Sequence, residues 1–226
     1  MWLVQEGLYP GSDTHSALES EVHARTRGRI PTYGVTVHDV VVHDNRKWFG
    51  EADVRIDALV VHGYPKDDSP ENCYKPGTFR FSRVLDGETL PIGDSGLLLF
   101  LGIPHHFLDI FITVARDTKD SDDLADLLRK TADSDEFQTA LSGFRQLMST
   151  NPTTAVISAG LEASVAIGNL AYRVLRQVSS STIGLYRASW LQHRDRFGEG
   201  RHPDAGVHRV KDLSFSLQVT KESRRR

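Results

Sequence analysis

The sequence predicts a mainly β protein, one antiparallel β-sandwich with an α-helical insertion before its last strands. Three observations carry this. From Tyr33 to about Val114, short apolar runs alternate with polar residues and are separated by Gly, Pro and Asp clusters, the pattern of half-buried strands joined by turns. From about Ser121 to Val178 the apolar spacing becomes helical. Alternation then returns in Leu213-Ser214-Phe215-Ser216-Leu217-Gln218-Val219. A strand arriving after so long a helical stretch should rejoin the earlier sheet, because a lone hairpin is marginal in water.

Each element has its own signal. Val35, Val37 and Val40-Val41-Val42 form a β-branched run that ends at His43-Asp44-Asn45-Arg46. Val54, Ile56, Ala58 and Val60 alternate with Arg55, Asp57 and Leu59, which predicts one buried face. Thr78 to Val84 alternates similarly, Leu97 to Leu101 is a continuous apolar run of strand length, and Leu108, Ile110, Ile112 and Val114 alternate again. In the helical stretch, Leu124, Leu127 and Leu128 follow an acidic first turn, where the helix dipole favours negative charge. Phe137, Leu141, Phe144 and Met148 make the apolar face of a second helix capped by Ser134. Asn151-Pro152 breaks the chain and starts a third, longer helix. Ile157, Leu161, Val165, Tyr172 and Leu175 lie along one face of it, and Gly160, Ser164 and Gly168 form a small-residue seam that lets another backbone approach. Glu162 and Arg173 mark it as a buried helix of a soluble protein. Ile183 to Leu191 is rich in strand formers, and residues 220–226, ending in three arginines, read as a disordered basic tail. The expected organisation is a single sandwich over residues 1–226 with the helical insertion at 121–178.

Composition narrows the function. The 226 residues carry 27 Lys and Arg against 30 Asp and Glu, a net charge of −3, which disfavours a nucleic-acid binder. One cysteine, Cys73, excludes an internal disulfide and a Cys-rich zinc site, and favours a reducing compartment. The start Met1-Trp2-Leu3-Val4-Gln5-Glu6 has neither a basic nor an apolar leader region, and the longest uncharged run, Gln146 to Leu161, is too short and polar to span a bilayer. A cytoplasmic protein, with a peripheral membrane location open to it, is expected. The small total hides an uneven distribution: residues 117–136 carry a local net of −5, and residues 187–226 a net of +5.

The candidate site is a pair of Asp-rich loops, each following a strand. One runs from His43 to Asp53 and the other from Arg116 to Asp123. If both lie at one end of a sandwich, Asp44, Asp53, Asp117 and Asp123, with Asp120 beside them, could converge. Clustered carboxylates repel one another, and a hard cation with many oxygen ligands, such as calcium, resolves that repulsion. Trp48-Phe49, beside Arg46 and Lys47, either projects as an aromatic tip suited to a membrane interface or folds inward over the sandwich end. Histidines offer no zinc spacing: His105-His106 are adjacent, and His38 and His43 are five apart.

These residues make the chain resemble a C-two domain, the calcium- and phospholipid-binding β-sandwich of the protein kinase C type. The resemblance lies in Ala52-Asp53-Val54-Arg55-Ile56, and in Leu108 to Val114 running into Asp117 and then Asp123-Leu124. It covers roughly residues 33–125. Ala115 stands where the family's second loop opens with an Asp, Lys47 stands where its first loop has one, and the helical insertion is foreign to it. The resemblance implies an eight-stranded sandwich with calcium on its apical loops, docked on anionic lipid. The leading expectation is therefore a non-enzymatic module that binds an anionic membrane surface or a protein partner, with or without calcium. An ion-independent interaction or effector subunit using the helical insertion as its partner surface is second. A metal-dependent hydrolase using the Asp loops with His43 is third.

Overall fold

In a computed structural model of the chain, residues 31–63, 70–117, 121–149, 154–178 and 181–222 are described, together with the two-residue strand β1, Gln5–Glu6. The strands that follow are β2 (Thr32–Val42), β3 (Ala52–Val61), β4 (Tyr74–Val84), β5 (Glu88–Thr89), β6 (Leu97–Gly102) and β7 (Phe107–Arg116). Helices α1 (Leu124–Thr131), α2 (Asp135–Ser149) and α3 (Thr154–Val178) come next. The chain ends in β8 (Ser181–Leu191), the short α4 (Gln192–Asp195), β9 (Gly200–His202), β10 (His208–Val210) and β11 (Leu213–Glu222).

Two sheets face each other, as the alternation predicts. The first has the order β1-β8-β7-β3-β4, and the second β10-β11-β2-β5, with β6 also on β2 and β9 on β11. All pairings are antiparallel except β1 with β8. Val54, Ile56, Ala58 and Val60 of β3 and Leu108, Ile110, Ile112 and Val114 of β7 meet Val35, Val37, Phe215, Leu217 and Val219 across the sandwich core. The helices lie between β7 and β8, two neighbouring strands of the first sheet, and interrupt the sandwich where the sequence predicts an insertion.

The helices change the meaning of the alternation. They cover the outer face of the first sheet, so β3 is buried on both faces from Val54 onward. A second core forms there from Leu59, Val61, Phe107 and Phe111 with Leu127, Phe137, Leu141, Ile167 and Leu175. The polar residues at alternate positions are thus buried, and they pair. Arg55 meets Asp57 at 2.6 Å. Asp109 of β7 accepts from Arg187 of β8 at 3.0 and 2.7 Å and from Ser164 of α3 at 2.7 Å. Burial pushes the Asp109 carboxyl above its usual range, and Arg187 and Ser164 oppose that push.

The contact face of α3 also departs from expectation. Of the predicted face Leu175 is buried as expected, but Ile157, Leu161, Val165 and Tyr172 are half-buried, whereas Gly160, Ser164 and Gly168 are buried. The small-residue seam is what lies on the sheet, because a flat packing needs room for the Phe111 ring. A Cβ on Gly168 would stand 2.2 Å from a Phe111 ring carbon. Ser134 caps α2 as predicted, its hydroxyl accepting from the Phe137 N–H at 3.3 Å. The first three residues of the predicted disordered tail are strand instead. Thr220, Lys221 and Glu222 continue β11 and pair with Gly34, Tyr33 and Thr32, and residues 223–226 lie outside the described residues. No helix among the described residues is long and apolar enough to cross a membrane.

Candidate functional site

The loops β2–β3, β4–β5 and β7–α1 and the β10–β11 turn gather at one end of the sandwich. Backbone bonds tie them together: the His43 N–H donates to the Asp212 carbonyl and the Asp117 N–H to the Asp53 carbonyl, each at 2.7 Å. At the centre of the longest loop is Asn45, fully buried. Its side-chain amide donates to the Gly50 and Val84 carbonyls at 2.9 and 2.8 Å, and its carbonyl accepts from the Lys47 N–H at 2.9 Å. Its own N–H donates to Asp86 at 2.7 Å. One residue thus meets the Gly50 and Val84 carbonyls and the Lys47 N–H. Asn is suited to this because its short amide mimics a backbone turn.

With the interior filled by Asn45, the tip turns outward. Trp48 is 89% exposed and Phe49 78%, and their rings stack edge to face with centroids 6.0 Å apart. Of the two orientations open from sequence, the aromatic pair takes the outward one. Cations surround its base. Lys47 Nζ donates to the Glu51 carbonyl at 2.6 Å, Arg83 pairs with Glu51 at 2.6 Å, and Arg116 donates to the Arg46 carbonyl at 3.1 Å. Arg46 pairs with Asp212 and, at 3.7 Å, with Asp44. Burial, with a smaller push from the Arg46 charge, holds the Lys211 ammonium below its ordinary value, and Asp44 opposes the shift. Under the tip runs an open groove of about 520 Å3, lined by Lys47, Glu51, Ala52, Asp53, Arg83, Arg116 and Asp117.

The predicted carboxylates are at this end, but arginines and backbone amides stand between them. Asp44 accepts from the Arg46 N–H at 2.7 Å and closes a local turn. Asp53 accepts from the Arg83 N–H at 3.1 Å. Asp117 accepts from Arg80 Nε at 3.0 Å and from the Ser121 hydroxyl at 2.7 Å, with buried Arg55 at 3.6 Å. Arg80 reaches on to Asp123 at 2.5 Å, so one guanidinium bridges both carboxylates. Those two anions, Asp123 foremost, raise Arg80 above its ordinary value. Asp120 lies outside the described residues. Among the described residues, no three His, Cys, Asp or Glu side chains are placed to hold a metal ion. His43 bonds through Nε2 to the Ser214 hydroxyl at 3.0 Å, away from the groove carboxylates.

Behind the loops, Arg55 fixes the start of the helical layer. It donates to both Asp57 oxygens, to the Ser121 hydroxyl at 2.6 Å and to the Asp122 carbonyl at 3.1 Å. Thr78 donates to Asp57 at 2.6 Å and accepts from the Leu124 N–H at 2.9 Å, supplying from β4 a partner for a free amide at the start of α1. Sequence inspection passes over Arg55, Arg80 and Asn45. Arg55 and Arg80 occupy alternate strand positions that read as solvent-facing, and only the Asp-Asn pair at 44–45 gives a turn signal. A scan against protein-family models and a search of curated proteins both returned no match for the chain.

Proposed function

We propose that this chain is a non-enzymatic binding module that docks on an anionic membrane surface through its apical tip, Arg46-Lys47-Trp48-Phe49. The observation that carries this reading is the outward projection of Trp48 and Phe49 from a loop whose interior is already filled by Asn45. Two large aromatic rings on a rigid base are a costly arrangement in water unless something covers them. The interfacial zone of a bilayer favours such rings, and each basic residue near an anionic surface adds about 1 kcal/mol. Lys47, Arg83 and Arg116 line the groove beneath the tip, interleaved with Glu51, Asp53 and Asp117. Because arginines already balance the loop carboxylates, docking on this reading needs no calcium.

The test is co-sedimentation with vesicles of phosphatidylcholine alone or mixed with phosphatidylserine, in the presence of a chelator. Wild type should pellet with the anionic vesicles and be released as salt rises. Trp48→Ala with Phe49→Ala should weaken binding by roughly tenfold to a hundredfold, the loss expected from two partly buried rings. Both side chains are exposed, so folding should be untouched. Equal pelleting of wild type and the double variant refutes the reading. Binding restored only by added calcium refutes its ion-independent form. No vesicle binding under any of these conditions leaves the tip to a protein partner.

A further inference from the structure

A second surface lies on the other sheet. Strand β6 is an edge: among the described residues it pairs with β2 and with no other strand. Its register places Leu98 against Thr36 and Leu101 against Gly34. Thr36 and Gly34 are two residues apart on β2 and share a face, so the irregularity between them brings Leu98 and Leu101 to one face, although they are three residues apart. Leu98 is 51% exposed and Leu101 53%, with Ile103 beyond the strand at 43%. No charged residue occurs between Asp94 and His105, and no proline before Pro104. Edge strands that remain single are usually guarded by lysine, proline, an inward charge or a bulge; β6 has the bulge, which here gathers its two exposed leucines on one face, and none of the charged or proline guards.

We propose that β6 is a self-association edge, on which a second copy of this chain lays its own β6 antiparallel and continues the sheet across a two-fold axis. The choice of a second copy rests on the strand itself. An uncharged strip offers no electrostatic handle to a foreign partner, whereas its apolar spacing complements itself. A two-fold axis between Leu99 and Phe100 sets Leu98 opposite Leu101 of the second copy, and Leu101 opposite its Leu98. A two-fold contact requires this kind of self-complementarity. β6 pairs with the Tyr33–Val37 half of β2, the half away from the 43–51 loop. Pairing therefore leaves the aromatic tip of each copy free.

The exposed patch is small beside the roughly 800 Å2 per partner of a standard stable interface, so the dimer is expected at micromolar concentration or above. Sedimentation equilibrium from about 1 to 500 µM should show the mean mass rising from monomer towards dimer. Leu98→Lys with Leu101→Lys places like charges near one another across the axis and should weaken the dimer on the order of a hundredfold at an unchanged melting temperature. Val207→Lys alters an exposed apolar residue off the strand and should behave as wild type. A wild type that stays monomeric throughout, or a double-lysine variant that dimerises undiminished, overturns the proposal. If the double variant fails to fold, hydrogen exchange on the wild type decides. Protection of the β6 amides should rise with protein concentration, and protection independent of concentration overturns the proposal.

Discussion

Asp109→Ala is the sharpest test of how the helical layer is held. Asp109 is fully buried and accepts two bonds from Arg187 and one from Ser164. The Arg187 side chain is itself only 9% exposed, and its guanidinium lies over the Phe111 ring at 5.3 Å. Removing the carboxylate leaves that charge under α3 with no counter-charge. Breaking one half of a buried ion pair costs about 3–5 kcal/mol, because the remaining charge stays desolvated. For a chain of this length each kcal/mol moves the melting temperature by about 2–4 °C, so a fall of roughly 6–20 °C is expected. Asp109→Leu combined with Arg187→Met removes both charges and fills the volume, and should recover most of that loss, since apolar replacements of whole buried pairs are often neutral or stabilising. Urea and thermal unfolding of wild type, Asp109→Leu, Arg187→Met and the double variant at pH 7, followed by circular dichroism, gives the coupling energy directly, with Asp109→Ala measured beside them. A loss below about 1 kcal/mol for Asp109→Ala, or a double variant as unstable as the two singles combined, would refute the claim that this buried pair between β7 and β8, bonded to Ser164 of α3, stabilises the packed layers.

Two further outcomes follow from the same packing and from burial. Gly168→Leu should destabilise by about 1–3 kcal/mol or more, since its Cβ alone would fall 2.2 Å from the Phe111 ring, and the gain of roughly 1 kcal/mol in helix propensity cannot offset it. Asn169→Leu, at the exposed neighbouring position, should stay near wild type in the same urea titration. The second outcome concerns pH. Burial, with the nearby His105 and His193, pushes the His106 imidazole down to about 4, so the folded state keeps it neutral where the unfolded chain, near 6.5, takes up a proton. Its contribution is present above pH 6.5 and lost as pH falls through about 4, with a ceiling of roughly 3 kcal/mol before solvent screening. His106→Asn keeps a residue tolerant of the positive φ of 67° there, and should flatten the stability profile between those two pH values. An unchanged slope in chemical unfolding from pH 7 to 4 would show that His106 is not the group responsible.

Much of the architecture is legible from residue spacing. The runs in β2, β3, β7 and β11 carry a period of two strong enough to place each strand within a few residues, because one face of each meets the sandwich core. The helical insertion is equally plain from Leu124, Leu127 and Leu128 and from Phe137 with Leu141. What spacing does not reveal is which element covers the second face. Arg55, Asp57 and Asp109 sit where a solvated strand would carry polar groups, and only the docking of the helices turns them into buried ion pairs. The same limit applies at the apex. Asp53, Asp117 and Asp123 are visible as an acidic set, but the arginine that bridges two of them comes from β4, more than thirty residues away in sequence. The outward turn of Trp48 and Phe49 depends on Asn45 filling the loop, a tertiary contact with the Val84 carbonyl that periodicity does not report.

The pairing of β2 with β11 bears on how the molecule is made. Thr32 to Val42 align with Glu222 back to Leu213, so the central ladder of the second sheet joins the first long strand to the last. The ribosome therefore holds β2 without its main partner until the end of β11 has emerged. At ordinary synthesis rates that wait is on the order of ten seconds or more. During it, the β-branched run from Val35 to Val42 depends on β5 and β6 for cover, and closing so long a loop is intrinsically slow. Loss of β11, Leu213–Glu222, should accordingly cost the whole second sheet rather than fray one edge, and newly made chains should be most prone to aggregation before that strand has emerged.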